Sequence, residues 1–263
     1  MRQFYVHLDG DSPPRVGDIV ALDSDESHHL TTVLRGGRSQ ILHLVDGRGH
    51  RLTGVPDGRD GKRALVRLDS VELDESELAA PRLQLACAVV KGKRFEWVLE
   101  KAVELGAWRI TPLLTEHGVI EPGEGRRGRW STLLQTALKQ SGRACLPELG
   151  DPVSPAGILT GVCGEVACFG SVPSELDTGE PQPVSWRRLL PDPGAPLPPV
   201  LTLLIGPEGG WTPAERRLLL ERGARPVSLG PHVLRTETAA IAGLALLQNL
   251  RQECLARGPS TTT

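Results

Sequence analysis

Aromatic residues are scarce. They make up 3% of the 263 residues, and outside five tryptophans the supply is Phe4, Tyr5, Phe95 and Phe169. That supply does not support recognition of RNA by stacking bases on a sheet of aromatic side chains. Cys87, Cys145, Cys163, Cys168 and Cys254 are odd in number, and none stands in a C-x-x-C pair or near a spaced histidine pair. Neither a disulfide framework nor a zinc site is legible, and no metal is expected. No apolar run approaches the length needed to cross a bilayer, and the opening MRQFYVHLDG lacks the apolar stretch of a signal peptide. No membrane partner and a cytoplasmic location are expected.

An excess of basic residues is missing as well, since the net charge is -2. The distribution is uneven, however. Residues 1–81 carry 10 Lys/Arg against 14 Asp/Glu, residues 82–149 carry 11 against 7, and residues 150–263 carry 9 against 11. The one positive segment is able to supply phosphate contacts despite an acidic total; the plain alternative is a solvated helix surface.

Over the first 75 or so residues, short extended segments (QFYVHL, DIVAL, QILHLVDG and RALVRLDSVEL) are separated by turn signals that include Asp46-Gly47 and Asp57-Gly58. One helix is expected around Asp25 to Arg35, with Leu30, Val33 and Leu34 at helical spacing and Gly36-Gly37 as its stop. This pattern suggests a small β-barrel, followed by LDESELAAPR as a linker.

From Leu83 the pattern changes to alternating strands and helices, which implies a mainly parallel sheet covered on both faces. Strands are expected at LQLACAVV, RITPLL, EVACFG, VLTLLIG and PVSLG. Helices are expected at Phe95 to Leu105, after the capping box Thr212-Pro-Ala-Glu215, and from about Thr236 to Ala256, where AAIAGLALL should be buried on most sides. Residues 172–200 hold eight of the 22 prolines and read as a surface insertion around WRRLL. The final GPSTTT reads as a tail.

The stretch with most chemistry is LTLLIGPEGGWTPAE, a buried strand running through a glycine-rich loop into a capped helix. Such a junction binds ligands through backbone N–H groups. Its spacing matches neither G-x-G-x-x-G nor G-x-x-x-x-G-K-[ST], and the carboxylate of Glu208 would repel a phosphate. A ligand carrying a cation and hydroxyls, such as S-adenosylmethionine, suits it better; a tight βα turn with no ligand is the alternative. A second loop, VSLGPHVLRTETAA, ends a strand at Leu229-Gly230 and opens a helix near Thr236, so both loops lie at the carboxyl edge of the sheet. Arg235 stands just before that helix, where pairing with Glu208 or Glu237 is a structural alternative to a role in chemistry.

IGPEGG with its following T-x-x-E, and LG-x-x-VLRTETA about twenty residues later, resemble the cofactor motifs of the SPOUT methyltransferases, in particular the bacterial 16S rRNA (uracil-N3)-methyltransferase family. KGKRFEWVLEKAVELGAWRITPLLTEH, KQSGRACLPEL, HHLTTVLRGG and LHLVDGRG are similar to further elements of that family, so the resemblance extends over nearly the whole chain. It implies an α/β fold comprising a trefoil-knotted methyltransferase domain over residues 82–257 and a PUA-like β-barrel RNA-binding domain over residues 1–75. It also implies a homodimer, S-adenosyl-L-methionine as cofactor, and 16S rRNA or the small ribosomal subunit as partner. His117 departs from the family pattern where arginine is usual, and Lys139 where glutamate is usual; both leave the target base open.

The cofactor-binding set expected from the two loops is Leu204, Ile205, Gly206, Pro207, Gly209 and Gly210 with Leu229, Gly230, Val233, Leu234, Thr236, Glu237, Thr238 and Ala239. Arg235 is expected to face developing negative charge on the base, with Glu208 a candidate general base. Arg35, Lys91, Lys93, Arg94 and Arg143 are expected to contact RNA, the competing readings being a solvated turn for Lys91, Lys93 and Arg94 and a carbonyl cap for Arg143. His28 and His29 read as ordinary helix residues. Three other readings stay open: a SPOUT enzyme acting on another RNA nucleotide or a non-RNA substrate, a non-catalytic rRNA-binding assembly factor, and a dinucleotide-dependent oxidoreductase.

Overall fold

A computed structural model describes residues 3–8, 10–33, 40–118, 123–159, 164–172, 179–190 and 196–256. The chain divides into two compact units, residues 1–79 with 134–146, and residues 80–133 with 147–263.

The first unit holds strands β1 (Gln3–Tyr5), β2 (Ile19–Ala21), β3 (Leu42–Val45), β4 (His50–Asp60) and β5 (Arg63–Leu73), and helices α1 (Ser24–Val33) and α2 (Glu75–Leu78). Its five-stranded sheet runs β1-β3-β4-β5-β2, antiparallel except for the β1/β3 pair. Alternate residues of every strand, among them Phe4, Val20, Leu44, Leu52, Val66 and Leu68, join Leu30 of α1 in one apolar core. Strand β4 is absent from the sequence reading because Gly54, Pro56 and Asp57-Gly58 all carry turn preferences. It forms because β3 pairs with its Arg51–Gly54 half on one side and β5 pairs with it from His50 to Asp60 on the other, around an irregularity at Asp57-Gly58. Gly54 is required there, since a Cβ would lie 2.4 Å from the Arg67 carbonyl oxygen. The ladder shifts register between Pro56 and Arg59, and the chain reverses at Gly61 (φ +58°) instead of at Asp57-Gly58.

The segment LDESELAAPR does more than link. Asp74 caps the single turn of α2 by accepting from the Glu77 N–H. The Glu77 carboxylate then accepts from the backbone N–H groups of Ala144 (2.8 Å) and Cys145 (3.1 Å), from Arg143 Nε (3.0 Å) and from Arg51 Nη2 (3.2 Å). Leu146 N–H donates to the Gly47 carbonyl at 2.8 Å. These bonds give the first unit residues 134–146, which a single cut between residues 75 and 82 would assign elsewhere. Burial, with Glu77 beside it, pushes the Cys145 thiol up to about 11.

The second unit is built on a six-stranded, wholly parallel sheet in the order β11-β9-β10-β6-β7-β8, with β6 at Arg82–Ala88, β7 at Ala107–Leu113, β8 at Glu148–Leu149, β9 at Val166–Gly170, β10 at Val200–Ile205 and β11 at Arg225–Val227. Helices α3 (Arg94–Glu104), α4 (Glu124–Ser141), α5 (Pro155–Ile158), α6 (Pro213–Glu221) and α7 (Thr236–Ala256) follow the strands; residues 134–141 of α4 are grouped with the first unit. All six residues of β10 are buried. Its Leu204 joins the core with Leu219 of α6 and Leu159, while its Leu203 meets α7 where Gly243 has no side chain, so helices cover both faces. On α3 the buried stripe is Phe95, Val98, Leu99, Ala102 and Val103, and Gly106 (φ +84°) ends the helix as expected.

Within AAIAGLALL, Ala239, Ala240, Gly243, Leu244 and Leu247 are buried and Ile241 and Ala242 half-buried, as expected, while Ala245 and Leu246 are exposed on the side away from the sheet. Residues 179–190 lie at the surface, as expected of an insertion, and are anchored there. Val184 bridges Val227 in the parallel sense, the Trp186 indole N–H donates to the Ser228 carbonyl at 2.9 Å, and Leu189 is buried, so the segment covers the sheet edge at β11. Among the described residues, no helix is long and apolar enough to cross a membrane.

Glu77→Ala removes the carboxylate that accepts from Arg143 Nε and from two backbone N–H groups. It is expected to destabilise the first unit by about 3 kcal/mol, as loss of one partner of a buried pair does, whereas exposed Glu75→Ala should change little. Denaturant unfolding of both variants, followed by circular dichroism, checks this.

Candidate active site

Strands β9, β10 and β11 are neighbours and parallel, so their carboxyl ends open at one edge, and a cleft open to solvent lies there. Ile205, Gly206, Pro207, Glu208 and Gly210 line it from the loop after β10. Leu229, Gly230, Val233, Leu234, Thr236 and Ala239 line it from the segment entering α7. Of the other residues expected to bind cofactor, Leu204 lies in the core, Glu237 is buried and Thr238 is exposed, and neither Glu237 nor Thr238 contributes to the lining. Gly209 faces His117. Gly170 at the end of β9 and Ser171 and Val172 after it, with Trp211 and His232, complete the walls and were missed by the sequence reading. The signal for the first three was available: EVACFG reads as a third strand of the same parallel sheet, and its carboxyl end must reach the same edge.

The glycine loop is held from three sides. Trp211 turns back under it, its indole N–H donating to the Gly170 carbonyl at 3.0 Å, and a Cβ at Gly206 would meet the Trp211 ring at 2.9 Å. Gly210 closes the turn at φ +71° with a hydrogen bond from its N–H to the Pro207 carbonyl. The capping box then starts α6, with Glu215 accepting from the Thr212 N–H (2.9 Å) through one oxygen and from the Glu116 N–H (3.0 Å) through the other. The loop after β7 is thereby tied to the glycine loop. His117 Nδ1 adds hydrogen bonds to the Gly209 (2.9 Å) and Gly210 (3.2 Å) carbonyls. A Cβ at Gly209 would sit 3.0 Å from His117 Cβ, so Gly209 permits the approach of that histidine. From the α7 side, the Thr236 hydroxyl donates to the Gly206 carbonyl at 3.1 Å.

The charged residues are sorted differently from the sequence expectation. Arg94, and not Arg235, pairs with the two carboxylates: its Nη1 is 3.4 Å from Glu208 and 3.8 Å from Glu237. Arg235 is exposed between two lining residues and has no ion pair among the described residues. Lys91 and Lys93 are exposed at the end of β6. Arg143 is only 11% exposed and is engaged by Glu77, which accounts for it without a ligand. Arg35 lies outside the described residues. Both departures from the family pattern have local partners, since Lys139 pairs with the buried Glu26 and His117 with the glycine loop. Burial, reinforced by Glu208 and Glu237, pushes the Cys87 thiol well up and keeps it protonated.

Residues 77–248 match the model of the RNA methyltransferase domain. The chain is 34% identical over 249 residues to the ribosomal RNA small subunit methyltransferase E of Mycobacterium bovis, covering 92% of this chain and 88% of the relative. It is similar to a Legionella pneumophila structure solved with the bound cofactor SAM (TM-score 0.74, 31% identity, 95% of this chain and 98% of the other). It is also similar to the ribosomal RNA small subunit methyltransferase E of Neisseria gonorrhoeae bound to S-adenosyl methionine (TM-score 0.76, 27% identity, 95% and 98% covered). By its matched domain and its full-length relatives, this chain belongs to the ribosomal RNA small subunit methyltransferase E family of RNA methyltransferases.

Proposed function

We propose that this enzyme transfers the methyl group of S-adenosylmethionine to N3 of a uridine in small-subunit rRNA. The observation that carries the reading is the cleft at the carboxyl edge of β9, β10 and β11 in a chain of this family. Its lining fits the cofactor. Among the described residues no lysine or arginine lines it, which disfavours a pyrophosphate, while Glu208 offers a carboxylate and the loops offer backbone polar groups beside apolar side chains. Bound there, S-adenosylmethionine supplies an electrophilic methyl carbon.

The protein's own part is positioning and charge. Gly206, Trp211 and the segment Leu229–Ala239 hold the cofactor, and water is displaced from the apolar side chains beside it. The N3 proton of the uridine must leave before the nitrogen can attack, and Glu208, which lines the cleft, is the carboxylate suited to accept it. Arg235, with no ion pair among the described residues, stabilises the imide anion as it forms. Lys91 and Lys93 contact rRNA phosphates. The first unit, whose five strands and α1 enclose one apolar core, acts as a PUA-like barrel that binds rRNA, and the second unit's chain is threaded as a trefoil knot. Exposed Leu246 on α7 and Trp97 on α3, helices that pack together, support a homodimer.

Small-subunit rRNA from a strain lacking this protein should gain one methyl group at a uridine on incubation with enzyme and cofactor, read by mass spectrometry of nuclease fragments. Arg235→Ala should slow single-turnover methylation about 100- to 1000-fold while cofactor affinity persists; near-normal turnover would make Arg235 structural. Gly206→Val, which drives a side chain into the Trp211 ring, should abolish cofactor binding in calorimetry, whereas Gly209→Val should act through displacement of His117. Leu246→Glu is expected to shift the sedimenting species from dimer to monomer at micromolar concentration; an unchanged dimer would move the interface elsewhere.

A further inference from the structure

The turn between β6 and α3 carries three cations, Lys91, Lys93 and Arg94, at a helix N-terminus whose free N–H groups are already electropositive. Lys93, the N-cap, makes no side-chain capping hydrogen bond. A third cation at such a place needs counter-charge. Lys91 and Lys93 extend into solvent, but Arg94 is drawn to Glu208 in the glycine loop at 3.4 Å and to Glu237 in the first turn of α7 at 3.8 Å. Glu237 is the more demanding of the two. Its side chain is only 6% exposed, and its Oε2 has no hydrogen-bond partner among the described residues. A buried carboxylate without a cation is costly, and the Arg94 guanidinium is the cation beside it.

We infer that Arg94 is a positioning residue for cofactor binding, fastening the glycine loop to the start of α7, and not an RNA-phosphate contact like its lysine neighbours. The inference rests on the reading of the cleft as the S-adenosylmethionine site. Two ties then join the loops that line the cleft. One is the Thr236 hydroxyl on the Gly206 carbonyl; the other is Glu208–Arg94–Glu237, two residues further along the glycine loop and one residue further along α7. A planar guanidinium can serve both carboxylates at once, which a lysine ammonium at the same position does poorly. The Arg94 side chain is 41% exposed, yet its charge is already committed to the loops before any RNA arrives.

The test separates cofactor affinity from RNA affinity. Calorimetry with S-adenosylmethionine and no RNA should show R94A weakened by about tenfold or more, with R94K intermediate. Binding of R94A to small-subunit rRNA at saturating cofactor should keep the wild-type affinity and the wild-type dependence on salt. In a double-mutant cycle, R94A should cost much less in cofactor affinity when E237Q is already present, because the two side chains act through one interaction. Unchanged cofactor affinity in R94A overturns the inference. So does additivity in the cycle, and so does a loss confined to rRNA binding with a salt slope reduced by about 0.7 to 0.9, the signature of one lost phosphate contact. Should R94A lose its thermal unfolding transition, R94K carries the test: intermediate cofactor affinity supports the inference and wild-type affinity overturns it. Failure of the unmodified enzyme to bind S-adenosylmethionine would instead defeat the reading of the cleft.

Discussion

The architecture of the second unit depends on one buried strand. Each residue of β10 is shielded from solvent, so its backbone N–H and C=O groups must be met by neighbouring strands, and β9 and β6 meet them in the parallel sense on either side. Parallel pairing forces every connection to cross back over a face of the sheet, which is why helices lie on both faces. It also sends the carboxyl ends of the strands to one edge. The glycine loop, the end of β9 and the entry to α7 meet there because β9, β10 and β11 all run parallel.

What fills that edge is settled by short polar contacts. Glu215 uses one carboxylate oxygen to cap its own helix and the other to hold the loop after β7. His117 braces the glycine loop through two carbonyls, and Arg94 stands between a carboxylate of that loop and one in the first turn of α7. These side chains do not add up to a charged cleft. Their polar atoms are spent on holding backbone in place, and the lining that remains is mostly backbone and apolar side chain with one carboxylate. Such a surface suits a ligand recognised by its shape, hydroxyls and positive charge better than one recognised by phosphate.

The positive segment at residues 82–149 turns out to be heterogeneous. Arg127 is held by Asp151 and the Gly150 carbonyl, Arg129 by Glu96, Arg109 by Glu148 and Arg143 by Glu77. Lys91 and Lys93 remain exposed at the end of β6. A count of charges along the chain could not distinguish these groups, because an arginine spent on a neighbouring carboxylate and one presented to a phosphate are the same letter.

The sequence by itself determined the elements whose cause is local or periodic. The β6, β7, β9, β10 and β11 strands, the α7 span, the α6 capping box and the Gly106 stop were legible because hydrophobic spacing, a side-chain cap and a positive φ are properties of a few adjacent residues. Ten of the expected cofactor residues reach the cleft for the same reason: two loops that follow parallel strands must share an edge. Tertiary structure alone decided the rest. Strand β4 exists against the preferences of Gly54, paired by β3 and β5, and Pro56, paired by β5, and residues 134–146 join the first unit with Glu77, more than fifty residues earlier, satisfying the N–H groups of Ala144 and Cys145. The partner of Glu208 and Glu237 is Arg94 and not the adjacent Arg235, because ion pairing follows distance in space, and the fold brings the β6–α3 turn over the two loops.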